Sequence, residues 1–267
     1  MKARSQAKLQ RRRRYDSAGL SGVLEARPRF QRRSLPWRWL IGGVIGLALI
    51  GAVLYFFFGD KFYITRVSVG GNLGTSAQEI LQISDVGGRH ILWADTQKAA
   101  ERIVNGIPSI KQATVECQLP DRCAIKVQER QPSVAWQFGG AVTWIADDGM
   151  AFAAQARPGK EVKPVVINAL QGPALLPGKE ADQRIVAAAL AVAKAMPDVR
   201  EYTYTNEHGL EFQSGQGYAV YLGLGKNMAD RAMLWKAVEA ELAQQGVIPK
   251  FVDLRYPSAP YFVRNDQ

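Results

Sequence analysis

Ala113-Thr114-Val115-Glu116-Cys117-Gln118-Leu119-Pro120-Asp121-Arg122-Cys123-Ala124-Ile125-Lys126-Val127 is the stretch on which the fold turns. Apolar and polar residues alternate on both sides of Pro120-Asp121-Arg122. Residues two apart share a face of a strand. Ala113, Val115, Cys117 and Leu119 therefore form one face of the first run, and Cys123, Ile125 and Val127 one face of the second. The turn residues between the runs make a β-hairpin. Cys117 and Cys123 lie on the core faces with five residues between them, so they can sit opposite each other. Outside the cytoplasm such a pair can persist as a disulfide. Two small buried hydrophobes is the other reading, and the spacing leaves both open.

Toward the N-terminus, Asp95 caps a helix carrying Ala99, Ala100, Ile103 and Val104 on one face, stopped by Gly106 and Pro108. Ser76-x-x-Glu79 is a capping box opening a shorter helix through Ile80 and Leu81. Phe62–Val69 reads as a strand ended by Gly70-Gly71-Asn72. Residues 60–131 thus run strand, helix, helix, strand, strand: a compact α+β unit. Gln131-Pro132 marks a boundary. Beyond it, strands are expected at Val134–Phe138, Ala141–Ile145, Pro164–Ile167, Tyr202–Thr205, Leu210–Gln213, Tyr218–Leu222 and Phe251–Tyr256. Helices are expected near 180–196 and 229–245. The fold class is α+β, the second domain (132–256) being β-rich, with a mixed or antiparallel sheet and flanking helices. Residues 257–267 form a C-terminal edge segment, because Pro257 and Pro260 cannot donate ladder hydrogen bonds.

Leu40–Phe58 is 19 residues without charge or Pro. At about 1.5 Å per residue it spans roughly 30 Å, the thickness of a bilayer's hydrocarbon layer. Trp37 and Trp39 stand at one end, Tyr55 and Tyr63 near the other, as interfacial anchors do. The run ends in Phe56-Phe57-Phe58-Gly59-Asp60, a poor cleavage site, so residues 37–59 read as an uncleaved transmembrane helix. Residues 1–38 carry twelve basic and two acidic residues; residues 39–267 carry 22 of each. Residues 1–36 therefore read as a disordered basic cytoplasmic tail that keeps the N-terminus inside and exports the body. A contact of the tail with acidic lipid or a partner is the sharper alternative. A neutral body disfavours a broad nucleic-acid-binding surface.

No catalytic constellation or cofactor motif is legible. His90 and His208 are the only histidines and stand far apart in sequence; His208 falls in an Asn206–Gly209 turn. Asp147-Asp148 suits a turn before Gly149 better than acid–base work. Gly223-Leu224-Gly225-Lys226 lacks phosphate-loop spacing. Trp136, Trp144 and Trp235 read as core. A membrane-anchored cell-wall hydrolase or processing enzyme, the alternative class, would need a Ser, Cys or metal site that the sequence does not display.

The order of parts resembles the FtsQ/DivIB family of bacterial cell-division proteins. Phe62-Tyr63-Ile64-x-x-Val67-x-Val69-x-Gly71-Asn72 is similar to the first strand of a polypeptide-transport-associated (POTRA) domain. Leu119-Pro120-Asp121-x-x-x-Ile125-x-Val127-x-Glu129-Arg130-x-Pro132-x-x-Ala135-Trp136, Ile145-x-Asp147-x-Gly149-x-x-Phe152 and Val252-Asp253-Leu254-Arg255-Tyr256-Pro257 continue the likeness. The resemblance implies a non-catalytic, single-pass divisome scaffold at the septal membrane, without cofactor or metal. Its β-domain would bind FtsB/DivIC-type and FtsL-type partners, and its POTRA domain would aid recruitment. It also tips the reading of the C-terminal segment from an ordinary closing strand to a partner-binding edge. The carried-over residues are Arg255, Tyr256 and Ser258, with Tyr261, Phe262 and Val263 adjoining. Arg255 would meet an acid on the partner. Strand alternation puts Val252, Leu254 and Tyr256 on one face, with Phe251, Asp253 and Arg255 on the other.

Overall fold

The computed structural model describes residues 37–157, 161, 163–172 and 174–265. The expectation for the basic tail, 1–36, lies outside them. Helix α1 (Trp37–Phe58) is, among the described residues, the one helix long and apolar enough to cross a membrane. Val44, Leu47, Ile50 and Val53 are all exposed. A helix apolar all round with its large side chains left exposed suits lipid rather than water.

The first sheet holds the hairpin. Its strands are β1 (Arg66–Gly70), β2 (Ile110–Gln118) and β3 (Arg122–Glu129), in the order β1-β3-β2. β1 lies parallel to β3, and β2 antiparallel. Helices α2 (Ala77–Ser84) and α3 (Thr96–Gly106) bring Ile80, Ala99 and Ile103 onto Val115, Ile125 and Val127. Both expected caps form: Ser76 Oγ accepts from Glu79 N–H at 3.1 Å, and Asp95 from Lys98 N–H at 3.0 Å. β1 starts four residues later than expected. Asp60–Phe62 coils into a short 3₁₀ turn, and Ile64 N–H donates to Arg89 O instead of a strand. Asp121, in the hairpin turn, accepts from Arg66 and Thr65. Those bonds hold its carboxyl down at about 2 and pin the turn to the start of β1. Cys117 and Cys123 are register partners, 4.1 Å apart at Cα, and are bonded.

Only Arg130 and Gln131 separate β3 from the second sheet. That sheet has nine strands among the described residues: β4 (Pro132–Phe138), β5 (Ala141–Ala146), β6 (Ala151–Ala153), β7 (Val165–Ala169), β8 (Glu201–Thr205), β9 (Gly209–Gln213), β10 (Ala219–Gly223), β11 (Pro249–Asp253) and β12 (Tyr261–Arg264). The order is β12-β11-β10-β9-β8-β7-β4-β5-β6, with parallel pairs at β10–β11, β7–β8 and β4–β7. Gly139 and Gly140, at φ 57° and 83°, make the β4–β5 turn, where a left-handed pair matches strand twist. Helices α4 (Gln183–Ala195) and α5 (Met228–Gln245) pack Ile185, Val192, Ala232, Trp235 and Leu242 against Ile167, Leu210, Phe212, Val220 and Val252. Trp235 is core as expected; Trp136 is half-buried against it.

The C-terminal strand differs from its expected course. β11 ends at Asp253 rather than Tyr256, and it is an interior strand. Val252 and Leu254 are fully buried as alternation requires, but Tyr256 is 66 % exposed and does not share their face. The cause is local. The Asp253 carboxylate captures the Arg255 N–H at 2.9 Å, the Asx arrangement that starts a turn, and Ala259 N–H closes the turn on Tyr256 O at 2.9 Å. The chain then returns as β12, antiparallel to β11.

Candidate partner-binding edge

β12 pairs with β11 on one side only. Phe251 faces Val263, Val252 faces Phe262 and Asp253 faces Tyr261 across the ladder. Its outer side is the end of the sheet, so its outward backbone N–H and C=O groups have no strand partner among the described residues. Tyr261, Phe262 and Val263 stay partly exposed there, and Tyr256 and Ser258 project from the turn beside them.

One depression lies beside the strand, and another at the turn that leads into it. On the helix side, Val238 and Leu242 of α5 with Val252, Pro260 and Phe262 enclose an apolar groove of about 150 Å³. On the turn side, His208, Gly223, Leu224, Arg231, Arg255 and Tyr256 line a more polar cleft of about 320 Å³. Away from the helices runs an aromatic row: His208 stacks on Tyr221 at 4.0 Å, Tyr221 meets Phe251 at 5.2 Å, and Phe251 meets Tyr261 edge-on at 6.0 Å. It ties β12 to the sheet interior. His208, expected as a solvated turn residue, is instead held over this row.

Arg255 is committed within the chain. Its guanidinium donates to Asp253 from Nε at 2.9 Å and from Nη2 at 2.6 Å, and Nη1 donates to Glu207 O at 3.1 Å. The Asp253 side chain is wholly enclosed. Burial pushes its carboxyl up, but the bonds from Arg255 outweigh burial and leave it below the usual carboxylate range. Arg255 is raised, chiefly by the same bonds. A partner acid therefore meets a guanidinium already neutralised. Sequence reading named Arg255 but missed Asp253 as its counter-ion, although residues two apart on a strand share a face. The groove residues on α5 had no sequence signal, since only the return of β12 brings them beside the C-terminus.

Among the described residues no group of three His, Cys, Asp or Glu side chains is placed to hold a metal ion.

The two sheets match known families in the same order. The FtsQ-type POTRA domain matches residues 62–130, and the C-terminal domain of cell division protein FtsQ/DivIB matches 134–255. This chain belongs to the FtsQ/DivIB family. The cell division protein FtsQ of Chloroflexus aurantiacus is 25 % identical over 191 residues, covering 66 % of this chain and 70 % of that one. FtsQ of Streptomyces venezuelae is 24 % identical over 221 residues, covering 80 % and 79 %. The cell division protein DivIB of Geobacillus kaustophilus is 38 % identical over 64 residues, 24 % of each chain. Membership makes this a cell-division protein with a place in the divisome. The family match stops at Arg255, so Tyr256, Ser258 and β12 lie beyond it.

Proposed function

We propose that this chain is a non-catalytic, single-pass scaffold of the divisome. It is anchored by α1 with its N-terminus in the cytoplasm and its body exported at the septum. Its β-domain captures FtsB/DivIC-type and FtsL-type division proteins by accepting a partner strand along β12. The observation that carries this reading is the unpaired outer side of β12, flanked by an apolar groove and by exposed Tyr256. An extended segment docking there gains backbone hydrogen bonds from the ladder and specificity from side chains set into the apolar groove beside it. Tyr256 supplies an amphipathic anchor of the kind that dominates interfaces. The Arg-rich segment before the span supports the orientation.

The test is capture of the two partner types by the full chain in mild detergent. Tyr256→Ala is expected to weaken capture by about 2 kcal/mol, roughly thirtyfold in Kd. Truncation after Pro257 removes β12 and is expected to abolish it, with circular dichroism retained. Undiminished capture by both variants places the partner elsewhere.

A further inference from the structure

We propose that the body touches the bilayer a second time, through Leu92 and Trp93, which insert into the headgroup layer of the membrane that α1 spans. The proposal rests on the reading of α1 as an anchor. It starts from the aromatic cluster at the end of that helix. After Phe58 the chain doubles back through the Asp60–Phe62 turn, setting the Phe62 ring 4.7 Å from Phe56 and 6.0 Å from Tyr55. His90 lies on the far side, 6.0 Å from Phe62 and 5.3 Å edge-on to Tyr63, and its residue bridges Tyr63 through the backbone. The His90 ring is buried, and its Nδ1 accepts the Leu92 N–H at 3.3 Å, capping the short helical turn Ile91–Trp93. That cap fixes the way the turn faces. Leu92 and Trp93 are left 41 % and 67 % exposed, and Phe58 and Tyr63, at and just past the end of α1, are exposed as well. So concentrated a display of large apolar groups marks a contact surface.

Depth identifies the occupant. The Trp93 ring lies 6.3 Å from the ring of Phe57, the last but one residue of α1. With α1 in the membrane, Phe57 sits where hydrocarbon gives way to headgroups. The headgroup layer on each side of a bilayer is roughly 5–8 Å thick. An offset of 6.3 Å is comparable to the thickness of that layer, so the Trp93 ring lies no farther out than about the layer's outer boundary. The amphipathic indole, with an apolar body and one N–H donor, is the side chain most suited to this depth. Lys61, exposed on the neighbouring turn, can reach anionic headgroups. The contact would give the first sheet a fixed height above the membrane instead of leaving it on a free tether.

Depth-dependent quenching tests the proposal on the full chain in vesicles of phosphatidylethanolamine and phosphatidylglycerol doped with lipid spin-labelled either in the headgroup region, to read positions 92 and 93, or along the acyl chain, to read position 44. An environment-sensitive dye is attached to a single introduced cysteine: Leu92→Cys, which keeps Trp93, or Trp93→Cys as a second variant. Val44→Cys reports the span, and Gly215→Cys, in the open β9–β10 turn, reports a water-exposed position. The expected result is loss of emission at 44 and at 92 or 93, with none at 215. Quenching at 44 with none at 92 or 93 overturns the lipid contact while the anchor stands, and leaves the cluster to an apolar partner. No quenching at 44 overturns the anchor, and the proposal with it.

Discussion

Asp253 is the residue on which the C-terminal edge hinges. One carboxylate ends β11 by capturing the Arg255 N–H, neutralises that arginine's guanidinium, and sits beneath Tyr261 of β12. Removing it leaves a half-buried guanidinium without its acceptor and releases the turn. Asp253→Ala is expected to lower the stability of the body by about 2 kcal/mol, the range for charge-assisted bonds, read as a fall in the urea midpoint at pH 7. Asp253→Asn should lose less, because it keeps the shape and an acceptor oxygen. A midpoint unchanged in both variants would show that the turn holds itself through Pro257 and Pro260.

The hairpin of the first sheet and the edge strand of the second show how an element's worth depends on its neighbours. β2 and β3 pair along their full length with a parallel β1 beside them, so the bond between Cys117 and Cys123 closes a loop that the ladder already closes. Counting reactive thiols on denatured, unreduced protein is expected to give none. Reduction should cost at most about 2 kcal/mol, at the low end for a loop so short. Two reactive thiols would refute the bond. β12 has a strand neighbour on one side only among the described residues. Its Phe262 seals Val252 completely yet stays 36 % exposed itself and leaves the groove beside α5 open.

Glu129 holds the body together at the scale of the whole molecule. It ends β3, accepts N–H bonds from Leu73, Gly74 and Thr75 at 2.8–3.1 Å, and faces Arg157, in the segment that follows β6, at 3.5 Å with both side chains enclosed. Burial pushes its carboxyl up, yet the three N–H bonds win and leave it below the usual range. Arg130 to Asp148 and Lys111 to Asp147 add two more ion pairs across the same junction. Glu129→Ala strands three donors and a buried guanidinium, and should cost about 3 kcal/mol. The lowered values at Glu129, Asp148 and Asp253 set the sign of the pH dependence. Their stabilisation is complete above the unfolded carboxylate value of about 4 and is lost as pH falls through the lower folded values. Thermal midpoints should therefore drop on acidification, and Glu129→Gln should flatten that drop; an unaltered acid limb would show that Glu129 contributes nothing to it. Orientation belongs to this scale too. A reporter that folds only in the cytoplasm, fused after Gln267, is expected to be inactive; activity would reverse the topology.

The features legible along the chain were those that need only local physics. Nineteen apolar residues must leave water, Ser76 and Asp95 must cap the helices that begin beside them, and alternation around Pro120-Asp121 must make a hairpin, because each depends on chain neighbours alone. The residues of the edge, Arg255 to Val263, could be named in advance. Which strand forms the edge could not. β11 is interior because β12 folds back on it, and β12 folds back because a buried carboxylate ends β11 three residues before its alternating pattern runs out. That carboxylate is tolerable only where Arg255, the aromatic row and the β9 and β10 strands enclose it together. The Glu129–Arg157 pair and the setting of Trp93 beside Phe57 likewise join residues 28 and 36 positions apart. Pairings of that kind are set by the closing of the sheets, and a periodicity of two or 3.6 residues carries no record of them.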